Sequence, residues 1–262
     1  MLIFSTDKSR LERHFRKDPA LFAYHLGDLD DFFFPHCQWM VSYGERARIE
    51  EALLVYTGLE VPTVLIFGLT DRLEPLVKEA VELLPDRFFC HYQKSIRPLL
   101  FSRYREQPLG THLKMRLEVF VPQHENDKRT ASVQRLDRSH VAELRSLYSD
   151  AYPDSYFSER MLDTGKYFGF VHDGAIVSVS GVHVYSDQFK TAALGNIVTS
   201  MAHRGRGLAA LVTSRLVSEL VEEKMLVTLN VKADNTPAIR CYQKLGFEMT
   251  HEYEEGLFEL AR

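Results

Sequence analysis

The sequence predicts an α/β fold with a mixed (α+β) sheet, divided between two domains. Apolar runs with strand composition alternate with helical patterns along all 262 residues. A polar stretch, residues 122–129, interrupts this alternation and places the domains at 1–121 and 130–262. In the second domain, a glycine-rich turn at residues 204–209 lies between a strand-like run and a long amphipathic helix.

The first domain alternates helices and strands but contains no comparable glycine-rich turn. We expect a helix at 18–30, strands at 49–57 and 63–68, a helix at 71–84, and strands at 88–92 and 113–121. Pro75 falls near a first helical turn, where proline is tolerated. Residues 24–29 either form a plain amphipathic helix or reach a substrate. Residues 32–34, three phenylalanines, either end a helix in the core or form an exposed patch that gates a substrate.

The second domain begins with antiparallel strands. We expect a strand at 133–136, a helix from Ser139 to Tyr148, hairpin strands at 167–171 and 175–184, a strand at 194–199, a helix at 206–224 and a strand at 225–231. Asp173-Gly174 joins the hairpin strands, because this dipeptide suits a tight primed turn. Ser139 is the expected cap of the first of these helices.

The glycine-rich turn, Arg204-Gly205-Arg206-Gly207-Leu208-Ala209, indicates a site for a phosphate or pyrophosphate. Its glycines lack the Cβ atoms that block close approach of a ligand to the backbone. The helix that follows offers unpaired N–H groups and the positive end of its dipole. An ordinary strand-to-helix turn explains the same residues about equally well.

Two other nucleotide motifs fit this turn less well. Gly205-x-Gly207-x-x-Ala210 matches the dinucleotide fingerprint, with Asp234 as its acidic residue. Only residues 235–262 then remain, too few for the further strands of a dinucleotide-binding fold. A P-loop is excluded because the turn does not end in Gly-Lys-Ser/Thr.

A second motif follows one helix and one strand later. Asn235, next to Pro237, starts the last helix, which reads Asn235-x-x-Ala238-x-x-x-Tyr242-x-Lys244-x-Gly246-Phe247. Together, and in this order, the two motifs resemble the GCN5-related N-acetyltransferases (GNAT). The strand Gly195-Asn196-Ile197-Val198-Thr199 is most similar to the glycine N-acyltransferase-like branch. The resemblance begins near Val133 and implies that the first domain is an additional one, a degenerate copy of the same fold that shapes the acceptor site.

The resemblance implies acetyl-CoA as the acyl donor. Backbone groups of Ile197, Val198 and Thr199 would pair with its pantetheine arm, as an added strand pairs with a sheet edge. Its pyrophosphate would be held by Arg204, Gly205, Arg206, Gly207, Leu208 and Ala209. Asn235 would bind the cofactor or position its helix, and Tyr242 would protonate the departing CoA thiolate. The structural alternatives are a helix cap for Asn235 and a core aromatic for Tyr242.

The general base is not identified by the resemblance. Many family members carry a glutamate on the strand before the last helix, but the matching residue here is Asn230, which cannot accept a proton at neutral pH. Our first candidate is His183, because imidazole titrates near neutral pH. The remaining candidates are Asp187, Glu252 and Glu254. A water chain, or an amine that arrives neutral, would make a base unnecessary.

Composition limits the partners. A net charge of −4 without a Lys/Arg block argues against nucleic-acid binding. The three cysteines Cys37, Cys90 and Cys241 are widely separated, which suits a reducing cytoplasm and argues against a metal site. A buried thiol is the expected state of Cys241. We expect neither a signal peptide nor a membrane span.

These observations predict an acetyl-CoA-dependent N-acetyltransferase. The acceptor is expected to be the amine of a small or amino-acid-like molecule that attacks the thioester directly, in a ternary complex held in the cleft between the domains. We keep a homodimer as a hypothesis. The alternatives are a non-catalytic acyl-CoA-binding regulator, favoured by Asn230, and a dinucleotide-dependent oxidoreductase.

Overall fold

The structure, a computed structural model, describes residues 1–123, 127–153 and 155–261. Its contacts divide the chain into unit 1, formed by Met1–Lys114, Lys232–Asp234 and Thr250–Arg262, and unit 2, formed by Met115–Val231 and Asn235–Met249. The C-terminal stretch thus groups with unit 1, whereas the sequence placed it in the second domain. The centre of the expected linker, residues 124–126, lies outside the described residues, as does Arg262.

Twelve strands and seven α-helices are described. The strands are β1 (Ile3–Ser5), β2 (Cys37–Tyr43), β3 (Ile49–Tyr56), β4 (Thr63–Ile66), β5 (Arg87–Tyr92), β6 (Tyr104–Leu117), β7 (Val133–Arg135), β8 (Phe168–His172), β9 (Ala175–Ser186), β10 (Thr191–Thr199), β11 (Leu226–Lys232) and β12 (Phe247–Leu260). The helices are α1 (Lys8–Phe15), α2 (Ala23–Asp28), α3 (Leu73–Ala80), α4 (Arg97–Leu100), α5 (Val141–Ala151), α6 (Leu208–Glu222) and α7 (Thr236–Leu245).

The sheet of unit 1 is mixed. Strands β1, β2, β3 and β4 pair antiparallel in that order, and β4 then pairs parallel with β5. Helix α3 makes the crossover between these parallel strands, as parallel pairing requires. Residues 254–259 of β12 pair antiparallel with β5, which is why the end of the chain belongs to unit 1.

The sheet of unit 2 follows the same order. Strands β7, β8, β9 and β10 pair antiparallel, and β10 pairs parallel with β11 after the crossover helix α6. The two units therefore repeat one topology, four antiparallel strands followed by a parallel strand–helix–strand. The predicted α/β fold class with a mixed sheet is confirmed.

Each unit has its own apolar core. In unit 1, helix α3 contacts β2 and β3, and the buried side chains include Met40, Leu53, Val64, Leu76, Phe88 and Phe258. In unit 2, helix α6 covers β8 and β9 with Leu208, Leu211 and Val212, which meet Phe170 and Val177. In the described parts of the chain, no helix has the length and apolarity needed to cross a membrane.

Several predicted elements change in extent. The helix expected at 18–30 is confined to α2, because residues 18–22 form turns in which the Asp18 carboxylate accepts from the Leu21 N–H (3.0 Å). The strand expected at 113–121 is β6, which starts earlier and ends at Leu117. Ser139 does not cap α5, which follows a short 3-10 turn at Arg138–His140. Asp137 caps that turn, since its carboxylate accepts from the Ser139 N–H (2.9 Å). The sequence analysis missed β1, α1, β2, α4 and β12.

The hairpin prediction is confirmed. Asp173 and Gly174, with φ of +50° and +79°, form the turn between β8 and β9. Both angles are those that a tight primed turn requires.

Candidate functional site

Strand β10 separates from β11 partway along its length. The two strands pair as far as Leu194–Leu229, and no later register pair joins them in the described parts of the chain. A β-bulge between Gly195 and Val198 follows at once in the pairing of β10 with β9, and there Asn196 has a φ of +54°. Since a bulge bends its strand, the end of β10 is left with one edge unpaired, on the side away from β9.

Two tyrosines hold the bulge in place. The side-chain amide of Asn196 donates to the Tyr167 hydroxyl (2.9 Å), and the Tyr148 hydroxyl donates to the Asn196 carbonyl (2.9 Å). Burial raises the pKa of both phenols, so both keep their protons at neutral pH. Our sequence analysis did not single out these tyrosines or Asn196. The Gly195-Asn196 pair was the available signal, because Asn tolerates positive φ better than other residues with a side chain.

The three residues expected to bind pantetheine form the end of β10. Val198 is buried, while Ile197 and Thr199 are half-buried. The Ser178 hydroxyl on β9 donates to the Val198 carbonyl (3.2 Å) and lies 2.8 Å from Thr199 Oγ1. These bonds use the side of β10 that faces β9 and leave the opposite edge open.

The glycine-rich turn forms an open nest of N–H groups in front of α6. Gly205 and Gly207 have φ of +75° and +77°. Gly207 is the N-cap residue of α6, so no side chain bonds to the first N–H groups of the helix from this position. Within the described residues, no protein acceptor pairs with the N–H of Gly205, Arg206 or Gly207. Leu208 and Ala209 begin the first turn, whose N–H groups have no acceptor within the helix. The arrangement can bind an anion.

Three arginines lie in or beside the glycine-rich turn. Arg129, absent from our candidates, donates to the Arg206 carbonyl (2.8 Å) and is held by Asp127 in a two-point ion pair (2.9 and 2.6 Å). The Arg204 guanidinium bonds back to the Thr199 carbonyl (3.2 Å), so it fixes the turn against the end of β10. The Arg206 side chain is exposed.

Helix α7 carries the second motif. The Asn235 side chain accepts from the Ala238 N–H (3.3 Å) and caps the helix. Tyr242 is buried, with its ring centroid 6.2 Å from that of Phe247. Burial raises the pKa of Tyr242, and its hydroxyl has no hydrogen-bond partner within the described residues. Packing therefore uses the ring and leaves the proton of the hydroxyl available.

His183 lies beside the bulge. A Cβ built on Gly195 would come within 2.2 Å of the His183 ring, so the ring sits directly over that glycine. Glycine is thus required at 195 for this placement. On β11, the Asn230 Nδ2 atom is buried without a hydrogen-bond partner in the described chain. An orphaned buried donor is costly, which favours a ligand acceptor at that position.

The other base candidates are placed differently. Asp187 lies in the turn after β9, where it pairs with Lys190 (2.5 Å), at the end of β10 opposite the glycine-rich turn. Glu254 accepts from the Thr111 hydroxyl within unit 1 (3.2 Å), and Glu252 is exposed there.

The remaining candidates have ordinary environments. All three cysteines are free, and burial raises the pKa of the Cys241 thiol, which disfavours a nucleophilic thiolate. Residues 24–28 lie on α2. Of the three phenylalanines, Phe33 is buried and Phe32 is exposed. Residues 1–123, 127–153 and 155–261 hold no group of three or more His, Cys, Asp or Glu suited to a metal ion.

Comparison with known proteins identifies the type of this fold. Residues 133–247 match the model of the Acetyltransferase (GNAT) family. No curated protein matches the chain. Similar solved structures include a Drosophila protein, with a TM-score of 0.76 at 13% identity over 98% of this chain and 97% of that one. A putative GNAT acetyltransferase from Novosphingobium aromaticivorans has a TM-score of 0.61 at 18% identity, over 80% of this chain and 89% of that one.

A third structure is a tandem GNAT protein from the clavulanic acid biosynthesis pathway. It has a TM-score of 0.57 at 17% identity, over 100% of this chain and 99% of that one. The C-terminal region has the GNAT fold, and the tandem neighbour agrees with the repeated topology of units 1 and 2. The family match over residues 133–247 supports the GNAT fold of this region.

Proposed function

We propose that this protein is an N-acetyltransferase that uses acetyl-CoA and acetylates the amine of a small or amino-acid-like acceptor. The observation that carries the proposal is that unit 2 contains both an unpaired strand edge and a nest of unpaired N–H groups. The edge begins at the bulge around Asn196, and the nest is formed by Gly205 and Gly207. An extended pantetheine arm ending in a pyrophosphate has the shape and charge for this pair.

Each candidate residue has a role in this proposal. Ile197, Val198 and Thr199 offer backbone groups to the pantetheine arm, while the turn from Arg204 to Ala209 binds the pyrophosphate. Arg129 fixes this turn through the Arg206 carbonyl. Asn235 caps α7 and so places Tyr242. Backbone donors at the bulge, preorganised by Asn196, polarise the thioester carbonyl.

The chemistry is a direct transfer. The acceptor nitrogen attacks the thioester carbon, the carbon–sulfur bond breaks, and the electron pair of that bond stays on sulfur. Tyr242 then donates its proton to the sulfur and recovers one from solvent. Its raised pKa keeps that proton in place until negative charge develops on the sulfur. The proton lost by the amine goes to His183 or to water.

Two finer points belong to the proposal. Residues 1–121 act as the domain that shapes the acceptor site, and residues 130–262 act as the catalytic domain. The strand at residues 195–199 supports placement in the glycine N-acyltransferase-like branch. Cytoplasmic location is proposed from the free thiols.

The proposal is tested by measuring the release of CoA from acetyl-CoA in the presence of each amine of a panel. We expect turnover with at least one small or amino-acid-like amine, together with an acetylated product of matching mass. A second candidate function, a non-catalytic acyl-CoA-binding regulator, is favoured by Asn230 in place of an acidic base. Tight acetyl-CoA binding without turnover across the panel would support the regulator and reject the enzyme.

A further inference from the structure

Units 1 and 2 contain corresponding loops. In unit 1, residues 67–72 connect β4 to α3, and in unit 2 residues 200–207 connect β10 to α6. Both loops follow the fourth antiparallel strand and precede the crossover helix to its parallel neighbour. Unit 1 therefore has a counterpart of the glycine-rich turn, although its sequence does not show one.

The N–H groups of the loop in unit 1 are already occupied by a carboxylate. Glu51, on β3, is fully buried and accepts from the N–H groups of Leu69 (3.1 Å) and Thr70 (2.7 Å) and from the Thr70 hydroxyl (2.7 Å). A Cβ built on Gly68 would lie 2.7 Å from Glu51 Oε2. The Glu51 carboxyl group is thus in direct contact with the loop, and its oxygens satisfy the N–H donors of the loop.

In unit 1 the parallel strands β4 and β5 do not separate as β10 and β11 do in unit 2. The last register pair between β4 and β5 is Ile66–Tyr92. Beyond it, Gln93 donates from its N–H to the Ile66 carbonyl (3.2 Å). Its side chain then makes two further bonds to the Gly68 backbone (both 3.1 Å). The parallel strands remain joined at the level where β10 and β11 part.

The corresponding groups in unit 2 leave the position open. Strand β9, the counterpart of β3, carries Ser178, whose short side chain reaches only Val198 and Thr199 on β10. No carboxylate in the described chain bonds to the N–H groups of Gly205 and Gly207. The two loops therefore differ in the acceptors of their backbone N–H groups.

We propose that Glu51 and Gln93 fill, inside unit 1, the position that unit 2 keeps open for acyl-CoA, so that each chain binds one acyl-CoA and binds it in unit 2. The identity of the ligand rests on the proposed function. The filled position in unit 1 rests only on the contacts of Glu51 and Gln93.

Calorimetric titration of the full chain with CoA tests the number and place of the sites. We expect one site in the wild type. We expect none in a folded Gly207→Val variant, whose branched side chain at φ +77° obstructs the nest and strains the turn. Two sites in the wild type, or one site retained in Gly207→Val, would overturn the proposal. No CoA binding by the wild type would overturn the proposed function and the assignment to unit 2, and the next experiment then decides the role of Glu51.

Urea unfolding of Glu51→Ala, with inorganic phosphate as the probe, tests the filled position alone. Removing the carboxylate leaves the donors of Leu69 and Thr70 without their acceptor, so we expect a lower midpoint than in the wild type. Phosphate stabilises folded proteins in general, so the matched control is Glu50→Ala, at the neighbouring position on β3. The gain in midpoint from chloride to phosphate at equal ionic strength should be larger in Glu51→Ala than in Glu50→Ala, because the vacated N–H groups can donate to the added anion. Equal responses to phosphate in the two variants would refute the role of Glu51.

Discussion

The side-chain amide of Asn196 donates a hydrogen bond to the hydroxyl of Tyr167 at 2.9 Å. This bond stabilises a residue whose φ of +54° would otherwise be strained. Because Asn196 lies in the bulge between Gly195 and Val198, the bond supports the point at which β10 leaves its regular pairing. The open edge proposed for pantetheine therefore depends on a tyrosine that lies immediately before β8.

Tyr167→Phe should weaken both stability and catalysis. The change removes the acceptor of the Asn196 amide and the donor to the Val182 carbonyl, at a cost of about 1 to 3 kcal/mol in the free energy of unfolding. We also expect a higher KM for acetyl-CoA, measured in CoA-release assays. The matched control is Tyr104→Phe, since Tyr104 is a buried tyrosine of unit 1 that donates to the Leu84 carbonyl. A KM that rises equally in both variants would show that the bulge has no specific role.

Gly205→Ala should reduce acetyl-CoA affinity through the backbone. Nothing lies within 4 Å of a Cβ built on Gly205, but its φ of +75° is unfavourable for alanine by about 1 to 2 kcal/mol. Gly174→Ala is the matched control, because Gly174 has a φ of +79°, equally open surroundings and a place in the β8–β9 turn. Both variants should lose similar stability in urea unfolding, and Gly205→Ala alone should lose affinity in calorimetry. Unchanged affinity in Gly205→Ala would argue against a ligand at this turn.

Tyr242→Phe should lower kcat with little change in acetyl-CoA affinity. Loss of a general acid typically costs about 100-fold or more in rate. Because the hydroxyl has no protein partner in the described residues, the urea midpoint should also change little. Steady-state kinetics and calorimetry on the same preparation separate these effects. A collapse of acetyl-CoA binding would instead make Tyr242 a structural residue.

Asp28 should make stability depend on pH. Burial raises the pKa of this carboxyl from 3.8 to about 8. Between these values the folded chain holds a proton that the unfolded chain has released, so stability falls as pH rises through this range. The slope is at most about 1.4 kcal/mol per pH unit.

The comparison with Asp28→Asn isolates this contribution. The free energy of unfolding of the wild type should fall relative to that of Asp28→Asn as pH rises from 5 to 8. Asp31→Asn is the control, because the Asp31 side chain is exposed. Parallel pH profiles for the wild type and Asp28→Asn would contradict the raised pKa.

The parts of the site set by local sequence were predictable. The glycine-rich turn before α6, the cap at Asn235 and the turn at Asp173-Gly174 each depend on a few adjacent residues with distinct backbone preferences. The structure has all three features, although the ligand roles of the turn and of Tyr242 stay predictions. The repeated strand order was foreseen only as a degenerate copy of the fold.

Features that depend on distant residues were not predictable. Glu51 lies 18 residues before the N–H of Leu69, and no local pattern links the two. The pairing of β12 with β5 joins segments far apart in sequence, so no local pattern indicates it. The bulge was not predicted for another reason: its positive φ falls on Asn196, whereas positive φ is most often adopted by glycine.

Acetyl-CoA binding to the full chain, measured by calorimetry beside NADH and ATP, tests the central claim most directly. The account predicts selective binding of acetyl-CoA, because the open edge of β10 and the nest at Gly205 and Gly207 suit a pantetheine arm with a pyrophosphate. Absence of binding, or a preference for NADH, would contradict it. The glycine-rich turn would then be no more than a connection between β10 and α6.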